Sequence, residues 1–184
     1  TQYPLRMAAG ILHKKADLEN WLLQNKQHFP HGESEIRLIL QQLEKSRNIV
    51  KTTSCGRVLD AVAAVLGVCY ERTYEGEPAM KLESTAIRGK DALKLKPMTK
   101  GNTLGTTQML LEIFENKENY STADLAYSAH AYLAKGLATL AMENARENNI
   151  KTIGFSVGTA CNEILSLKMR KIVEAAGLRF IFYE

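Results

Sequence analysis

The chain has 184 residues, 45% of them hydrophobic, which is enough to bury one core or the cores of two small lobes. Its formal charge of +4 is modest, and its Lys and Arg residues are scattered among Asp and Glu, which argues against nucleic acid as a partner. The three cysteines are odd in number and form no CxxC pair, which excludes a disulfide framework and a structural zinc site. No apolar run approaches the roughly 20 residues of a membrane helix, which excludes a membrane span. We therefore expect a soluble, cytoplasmic domain.

The first fifty residues are predicted to be helices separated by one break. Apolar spacing predicts a helical region over residues 5–25, in which Asp17 begins a second set of turns. Residues 28–32 contain Pro and Gly and interrupt the pattern. Ser34 is then predicted to cap a further helix. The apolar residues spaced for the buried face of that helix are Ile36, Ile39, Leu40 and Leu43.

The next segment predicts a loop, a buried helix and a turn. Residues 52–57 are small and polar and predict a loop. The helix that follows has a wide apolar face, and Gly67 is placed to end it. Residues 74–78 predict a turn, with Pro78 as the first residue of another short helix. The residues of the apolar face are Val58, Leu59, Val62, Val65 and Leu66.

The middle of the chain is dominated by one long helix. Leucines alternate with lysines over residues 93–96, which indicates a short strand, and a helix is predicted over residues 108–114. Ser121 is predicted to cap the longest helix, which runs to about Asn148. Gly136 lies inside that helix, where it costs roughly 1 kcal/mol against Ala. We therefore expect close packing against another helix at this glycine.

The last third predicts a β-α-β unit. An apolar strand over residues 152–156 is followed by a small-residue turn over 157–161 and a helix over 162–175. Gly177 ends the helix, and residues 178–183 form a second strand. Such a unit implies two parallel strands joined by a right-handed crossover. The predicted fold class is therefore helix-rich α/β, with a doubly wound or actin-like sheet of few strands.

The turn after the first of these strands is one candidate ligand site. Ligands of open α/β sheets bind at the carboxyl ends of the strands, and the N–H groups of a helix start favour phosphate. Ser156, Gly158 and Asn162 are the candidate residues there. The alternative is an ordinary tight turn in which Asn162 only caps the helix.

Two further candidates lie in the first half of the chain. Ser54 and Gly56 offer a hydroxyl and free backbone N–H groups, and Asp60 stands on an apolar helix face where a carboxylate needs a partner. The alternative for Asp60 is an ion pair with Arg57, three residues earlier. Gly76 allows a positive φ or a close ligand approach in the 74–78 turn, and the alternative is a plain surface turn.

The four histidines do not predict a metal site. His130 lies near the apolar stripe of the long helix, and such a residue is more often a hydrogen-bonded core or boundary histidine than a ligand. His13, His28 and His31 have no spacing typical of metal ligands, and the last two flank the Pro-Gly break, where we expect them to be exposed.

Three segments, in this order, resemble one family. They are PLRMAAG at residues 4–10, TTSCGRVLDAVAAVLGVCYERTYEGEPAMKLE at 52–83 and SAHAYLAKGLATLAMENARENNIKTIGFSVGTACNEIL at 128–165. They are similar to the carboxy-terminal part of the hydrogenase maturation carbamoyltransferase (HypF) family. The resemblance covers nearly the whole chain and is weakest at residues 13–50 and 88–120.

The resemblance implies a fold and an activity. Members of the family make carbamoyl-adenylate from carbamoyl phosphate and ATP, and pass the carbamoyl group to a C-terminal cysteine of a partner maturation protein. This is a step toward the cyanide ligands of [NiFe]-hydrogenase. The carboxy-terminal module has the actin/Hsp70/sugar-kinase type of fold, of which this chain is part of a lobe. By this resemblance residues 1–184 are a single domain and a fragment of that module, with a helical segment at 1–50 and a nucleotide-binding part at 51–184.

The same resemblance implies nucleotide-binding residues. Asp60 stands in the matching helix, Gly76 in the matching turn and Asn162 after the matching loop. The loop match adds Ser156 and Gly158, and the block before the helix adds Ser54 and Gly56. The ligand expected in the parent enzyme is ATP or carbamoyl-adenylate, held by loops that offer their amide hydrogens to one phosphorylated molecule. The family's His-rich motif and phosphate loop do not occur in the chain, so no metal ligand or catalytic residue is assigned.

Alternatives to this function stay open. Val157 stands where the family loop usually has Gly, and a β-branched residue disfavours positive φ and crowds a phosphate. This favours a non-catalytic binding or scaffold relative. The third alternative is a small-molecule or tRNA (threonyl)carbamoyltransferase. The modest charge argues against tRNA, and the Tyr-Glu-Gly-Glu-Pro turn favours the hydrogenase maturation family over the tRNA-modifying one. The start at Thr1 and the apolar end indicate a fragment, which we expect to be inactive by itself and to bind nucleotide weakly.

Overall fold

The structure is a computed structural model that describes residues 2–13, 17–156 and 158–182. The chain divides into two compact units, Thr1–Leu82 and Glu83–Glu184. None of the helices in the described part of the chain is long and apolar enough to cross a membrane. The predicted division of a single domain near residue 50 stays a prediction.

The first unit is helical. Its helices are α1 (Pro4–Leu12), α2 (Leu18–Gln24), α3 (Gly32–Glu44), α4 (Cys55–Val65) and the start of α5 (Glu77–Ala86), with a 3₁₀ turn at Lys26–His28. Every side chain of α4 from Val58 to Val65 is buried, so this helix lies at the centre of the unit, packed on α1. The largest fully buried side chains of this unit are Leu5, Leu12, Leu22, Ile36, Leu59 and Leu82.

The prediction of one helical region over residues 5–25 is wrong. The structure has two helices there, and Asp17 stands at the predicted N-cap position of the second, where its side chain makes no capping hydrogen bond. His13 and Asp17, the described residues next to the two helices, are exposed turn residues with no apolar side chain to bury, and burial of an apolar face supplies most helix stability. Residues 14–16 of this prediction lie outside the described residues.

The predicted cap of α3 is also wrong. The helix begins at Gly32, with His31 as its N-cap, so that Ser34 lies in the first turn. The carboxylate of Glu35 reaches back and accepts a hydrogen bond from the His31 backbone N–H at 3.2 Å. The Glu35 carboxylate therefore pairs the backbone N–H of the N-cap residue. In a capping box, a Glu or Gln side chain three residues after a Ser or Thr cap pairs the same N–H.

The helix α4 starts earlier than the sequence predicts. The predicted loop ends at Ser54, whose side chain caps the helix by accepting from the Arg57 N–H at 3.4 Å. The cap recruits Cys55 and the residues after it into the first turn. Gly67 ends the helix with φ +69°, as predicted. In α5, Pro78 is the second residue, since Glu77 is the first.

The second unit contains the remaining helices and all four described strands. They are α6 (Thr107–Asn116), α7 (Thr122–Glu147), α8 (Glu163–Ala175), β1 (Met98–Lys100), β2 (Thr103–Gly105), β3 (Thr152–Phe155) and β4 (Arg179–Phe182). Strands β3 and β4 pair in parallel, with Ile153 opposite Phe180. Helix α8 connects them and packs on α7, which confirms the predicted β-α-β unit and the helix-rich α/β class. The core side chains include Met109, Leu110, Ile113, Leu125, Leu133 and Leu165.

The long helix α7 has the predicted ends. The Ser121 side chain accepts from the Asp124 N–H at 3.1 Å, and Asn148 is the C-cap residue. The expectation that Gly136 packs against another helix is wrong. A β-carbon at this position would overlap the Leu104 methyl groups, so the element packed on Gly136 is strand β2 of the hairpin.

The predicted strand at Leu93 and Leu95 is wrong. Lys94 has φ +48°, which interrupts an extended run, and this segment pairs with no strand among the described residues. Its backbone N–H groups bond instead to side chains of α7. Lys90 N–H donates to Asp124 Oδ1 at 2.8 Å, Leu93 N–H to Ser128 Oγ at 3.2 Å, and Met98 N–H to Tyr132 Oη at 3.1 Å. The strands of this region form the antiparallel hairpin β1–β2.

Candidate functional site

The start of α4 carries two of the predicted site residues. Ser54 is exposed and is the helix cap. A β-carbon on Gly56 would meet only the Ser54 hydroxyl, at 3.7 Å, so the backbone of this first turn is not crowded. Between them, burial raises the pKa of the Cys55 thiol to about 11. The thiol therefore stays protonated at neutral pH and is a poor nucleophile.

Asp60 is buried with only half of its carboxylate paired. Its side chain is 2% exposed, and Oδ2 lies 2.9 Å from Arg57 Nη1, so the predicted ion pair is present. Burial raises the pKa of Asp60, while the Arg57 and Arg72 guanidinium groups lower it. The second oxygen, Oδ1, has no hydrogen-bond partner within the described protein. Buried polar atoms in proteins are nearly always hydrogen-bonded, so this oxygen is a free acceptor that requires an explanation.

Gly76 lies in a turn that is fastened to the first residue of α5. Glu77 Oε2 accepts from the Thr73 N–H at 2.6 Å and from the Thr73 hydroxyl at 2.8 Å, while Oε1 lies 2.7 Å from Lys81 Nζ. These hydrogen bonds lower the pKa of Glu77 to about 2, and the one from Lys81 has the largest effect. Gly76 has φ +82°, which a β-carbon disfavours, and the space where that carbon would lie is open.

A cleft of about 510 Å³ lies beside this turn. Its lining residues are Gln2, Arg72, Thr73, Tyr74 and Glu75, and Gly76 follows directly in the chain. Arg72 also acts electrostatically on Asp60. Gly76 is thus next in the chain to a polar cleft that contains a guanidinium group, and Asp60 is related to that cleft only through the charge of Arg72.

In the second unit, Asn162 is a helix cap. It is 6% exposed, and its Oδ1 accepts from the Leu165 N–H at 3.0 Å. Ser156 and Gly158 are exposed on the turn before it, and Gly158–Cys161 form a 3₁₀ turn. Val157, where the expected departure from the family loop falls, lies outside the described residues. The capping role that was one reading of Asn162 is confirmed.

The first backbone N–H groups of α8 are occupied by an acidic side chain. Glu83 Oε1 accepts from the Glu163 N–H at 2.5 Å and from the Ile164 N–H at 3.3 Å. Burial raises the pKa of Glu83, and these two hydrogen bonds lower it. A carboxylate of the protein thus holds the position that the helix start offers to an anion.

His130, on α7, contacts the Asn162 side chain. Its side chain is fully buried, with Nδ1 2.8 Å from the Ala126 carbonyl oxygen and Nε2 3.1 Å from Asn162 Nδ2. Burial lowers the pKa of the imidazole. The predicted reading as a hydrogen-bonded core histidine is confirmed, and the part of the chain that the structure describes contains no group of three or more His, Cys, Asp or Glu side chains that could hold a metal ion.

Comparison with known proteins identifies the family. The family described as carbamoyltransferase, Kae1-like domain, second subdomain, matches residues 1–184. A probable carbamoyltransferase HypF of Methanocaldococcus jannaschii is 39% identical over all of this chain and 24% of its own length. The chain belongs to the HypF carbamoyltransferase family. The resemblance noted in the sequence is thereby confirmed.

Two solved structures share the fold. The crystal structure of T. kodakarensis HypF aligns with a TM-score of 0.87 at 42% identity, over 98% of this chain and 24% of that one. A full-length HypF in a phosphate- and nucleotide-bound form aligns with a TM-score of 0.83 at 21% identity, over 99% of this chain and 28% of that one. The chain has the Kae1-like carbamoyltransferase fold and spans about a quarter of the length of these HypF relatives.

The structure groups the predicted residues by unit. Ser54, Gly56, Asp60 and Gly76 lie in the first, and Ser156, Gly158 and Asn162 lie in the second. That all of them serve one nucleotide stays a prediction. Sequence reasoning missed Glu83, because it meets α8 at positions 80 residues away and no local spacing indicates such a pair. It also missed Arg72 and Thr73, the two residues before the predicted 74–78 turn.

Proposed function

We propose that the chain holds part of the nucleotide, ATP or carbamoyl-adenylate, in a carbamoyltransferase of [NiFe]-hydrogenase maturation. In the intact cytoplasmic enzyme the carbamoyl group would pass to the C-terminal cysteine of a partner maturation protein. Membership of the HypF family supports the reaction class. The observation on which the binding role depends is the buried, unpaired Oδ1 of Asp60.

The carboxylate of Asp60 is suited to accept hydrogen bonds from a ligand. Arg57 holds Oδ2 and leaves the enclosed Oδ1 unpaired, so a ligand hydroxyl or amine that enters the packing around Asp60 could donate to it and leave the ion pair in place. Leaving a buried acceptor unmatched costs about 1–3 kcal/mol, which a bound ligand would recover. Gly76 adds an open backbone position beside the cleft, where a main-chain N–H can approach a ligand closely.

The role that these residues support is positional. Binding the nucleotide in one orientation aligns the activated carbamoyl group for attack by the acceptor thiol, and alignment alone supplies large rate factors. Backbone N–H groups directed at the developing negative charge add electrostatic stabilisation.

The test is an Asp60→Asn variant of the intact enzyme. Asparagine keeps the size of the side chain and removes its charge, and we expect ATP binding to weaken about tenfold or more, with a parallel loss of carbamoyl transfer to the partner cysteine. Calorimetry measures the first effect and labelled carbamoyl transfer the second.

The matched control is Asp91→Asn, which removes a partly buried carboxylate paired with Lys135 at 2.8 Å. This variant should bind ATP like the wild type. Equal ATP affinity for Asp60→Asn and wild type would remove Asp60 from the site. If the wild-type enzyme binds no nucleotide, the non-catalytic scaffold reading is favoured.

A further inference from the structure

Two backbone groups, the Leu165 N–H and the Ala126 carbonyl, determine which atoms donate and which accept in the hydrogen bonds between Asn162 and His130. The Leu165 N–H is a donor only, so the Asn162 atom that it meets is the carbonyl Oδ1. The amide nitrogen Nδ2 must then face His130 Nε2, which accepts from it at 3.1 Å. At the other end the Ala126 carbonyl is an acceptor only, so His130 Nδ1 carries the proton.

His130 is therefore neutral and protonated on Nδ1 alone. Full burial favours this uncharged form and lowers the pKa of the ring. A proton on Nε2 would point at the donor Nδ2, and an imidazole that exposes no lone pair to Asn162 would leave that amide unpaired in the interior.

The turn before α8 is held through the same residue. Asn162 N–H donates to the Thr159 carbonyl, and the Ser166 hydroxyl donates to the Ala160 carbonyl at 2.6 Å. The orientation of the Asn162 amide thus sets the N-cap, and the N-cap sets how the 158–161 turn enters the helix. Both polar ends of the Asn162 side chain are used inside the protein.

We propose that His130 and Asn162 are positioning residues, which act on the nucleotide through the backbone of the Gly158–Cys161 turn and do not contact it. As far as it concerns the nucleotide, this inference rests on the proposed function. It assigns ligand contact to the exposed Ser156 and Gly158, and a purely orienting role to the buried pair behind them.

The first test uses the 184-residue chain without ligand. Nitrogen-15 NMR of the imidazoles should show His130 with a protonated Nδ1 and a bare Nε2, and the Leu165 amide should exchange slowly with solvent. In a His130→Phe variant, which keeps a ring but offers no acceptor, Leu165 exchange should accelerate at least tenfold. A His130 protonated on Nε2, or unchanged Leu165 exchange in the variant, would overturn the orientation.

The second test measures ATP binding to the intact enzyme. His130→Phe should raise the Kd for ATP about tenfold, and His130→Gln, whose side-chain oxygen can accept from Asn162, should recover most of the affinity. Leu133→Ala is the control, because it truncates a buried α7 side chain and lowers stability while it keeps both hydrogen-bond partners of the Asn162 side chain, His130 and Leu165. It should leave the Kd for ATP unchanged at a temperature where all variants are folded.

The outcomes separate the two proposals. Wild-type enzyme that binds no ATP contradicts the proposed function, while the NMR measurements still decide the orientation of Asn162. Wild-type enzyme that binds ATP, with a His130→Phe variant that binds it equally well, contradicts the positioning role alone.

Discussion

Among single residues, Glu77 shows how one side chain can hold a turn in place. Its carboxylate joins Thr73 before Gly76 to Lys81 in the second turn of α5. Because three groups donate to it, the ionised form is favoured in the folded protein, and its pKa falls from 4.5 to about 2.

A Glu77→Gln variant should reveal this contribution through its pH dependence. The folded pKa lies below the unfolded value, so the carboxylate stabilises the folded state fully above about pH 4.5 and loses the effect as pH falls toward 2. Urea unfolding at pH 6 and pH 3 should show the variant much less stable than wild type at pH 6, and close to it at pH 3. Glu83→Gln is the control with the opposite sign, since burial raises the pKa of Glu83. A stability gap for Glu77→Gln that is equal at both pH values would contradict the prediction.

The three cysteines differ in their surroundings, and their thiols should react accordingly. Cys161 is exposed, whereas Cys69 is buried and burial raises its pKa. The pKa of Cys55, raised from 9.0 to about 11, lowers its thiolate fraction about 100-fold. Iodoacetamide at pH 7.5 should therefore label Cys161 first, as peptide mass mapping would show. Early labelling of Cys55 would mean that the first turn of α4 opens in solution.

Among the elements, the contact of α7 with the hairpin depends on a missing side chain. Gly136 leaves room for the Leu104 methyl groups, and a β-carbon there would overlap them. The glycine weakens the helix by roughly 1 kcal/mol, and its missing side chain lets the hairpin pack against α7.

This trade predicts coupling between Gly136 and Leu104. Gly136→Ala alone should destabilise the protein by about 1 kcal/mol, because the cost of overpacking exceeds the gain in helix propensity. In a Leu104→Ala background the same change should stabilise it by up to about 1 kcal/mol, since only the propensity gain remains. Chemical unfolding of the four proteins of this cycle measures the coupling. Additive effects would show that Leu104 does not pack on Gly136.

These elements also show what the sequence can and cannot reveal. Ser121, Asn162 and Gly177 lie at helix ends where the sequence predicts them, because capping depends on atoms within four residues. Gly136 indicates in the sequence that another element packs closely against α7, but it does not indicate whether that element is a helix or a strand. The bond of Glu83 to α8 and the docking of residues 90–98 on α7 join distant segments, and a single sequence carries no periodicity that reports them.

In the candidate site, too, local spacing in the sequence predicts some features, and others arise only from tertiary packing. The ion pair of Asp60 with Arg57 follows from a three-residue spacing on one helix. The unpaired Oδ1 of that carboxylate follows from the packing around α4, which spacing does not give. Likewise, the small polar character of residues 156–162 indicates a turn, but the buried partner behind Asn162 comes from another helix.

For the whole molecule, charge is more localised than the composition suggests. Residues 87–101 hold five cations, Arg88, Lys90, Lys94, Lys96 and Lys100, against one carboxylate, Asp91, which is paired with Lys135. The whole chain carries +4, so this segment accounts for all of it and the remainder is neutral in sum. All five cations are exposed. The expectation that Lys and Arg are scattered among Asp and Glu is wrong for this segment.

Two charge reversals should separate local from net charge. Lys94→Glu with Lys96→Glu brings the formal charge from +4 to zero, and so does Lys45→Glu with Lys171→Glu, which leaves residues 87–101 intact. If the segment dominates binding to a negatively charged surface, the first variant should elute from a cation-exchange column at much lower salt than the second. Elution of both at the same salt would show that only the net charge matters.

The anchoring of residues 90–98 fixes the spacing of three side chains on α7. Asp124, Ser128 and Tyr132 meet this segment at intervals of four residues, over about 12 Å of helix. One extra residue inserted between them would turn every later anchor by about 100° and carry it off the face. This stretch of α7 should therefore tolerate no insertion or deletion, so its length is constrained separately from the identity of its buried side chains.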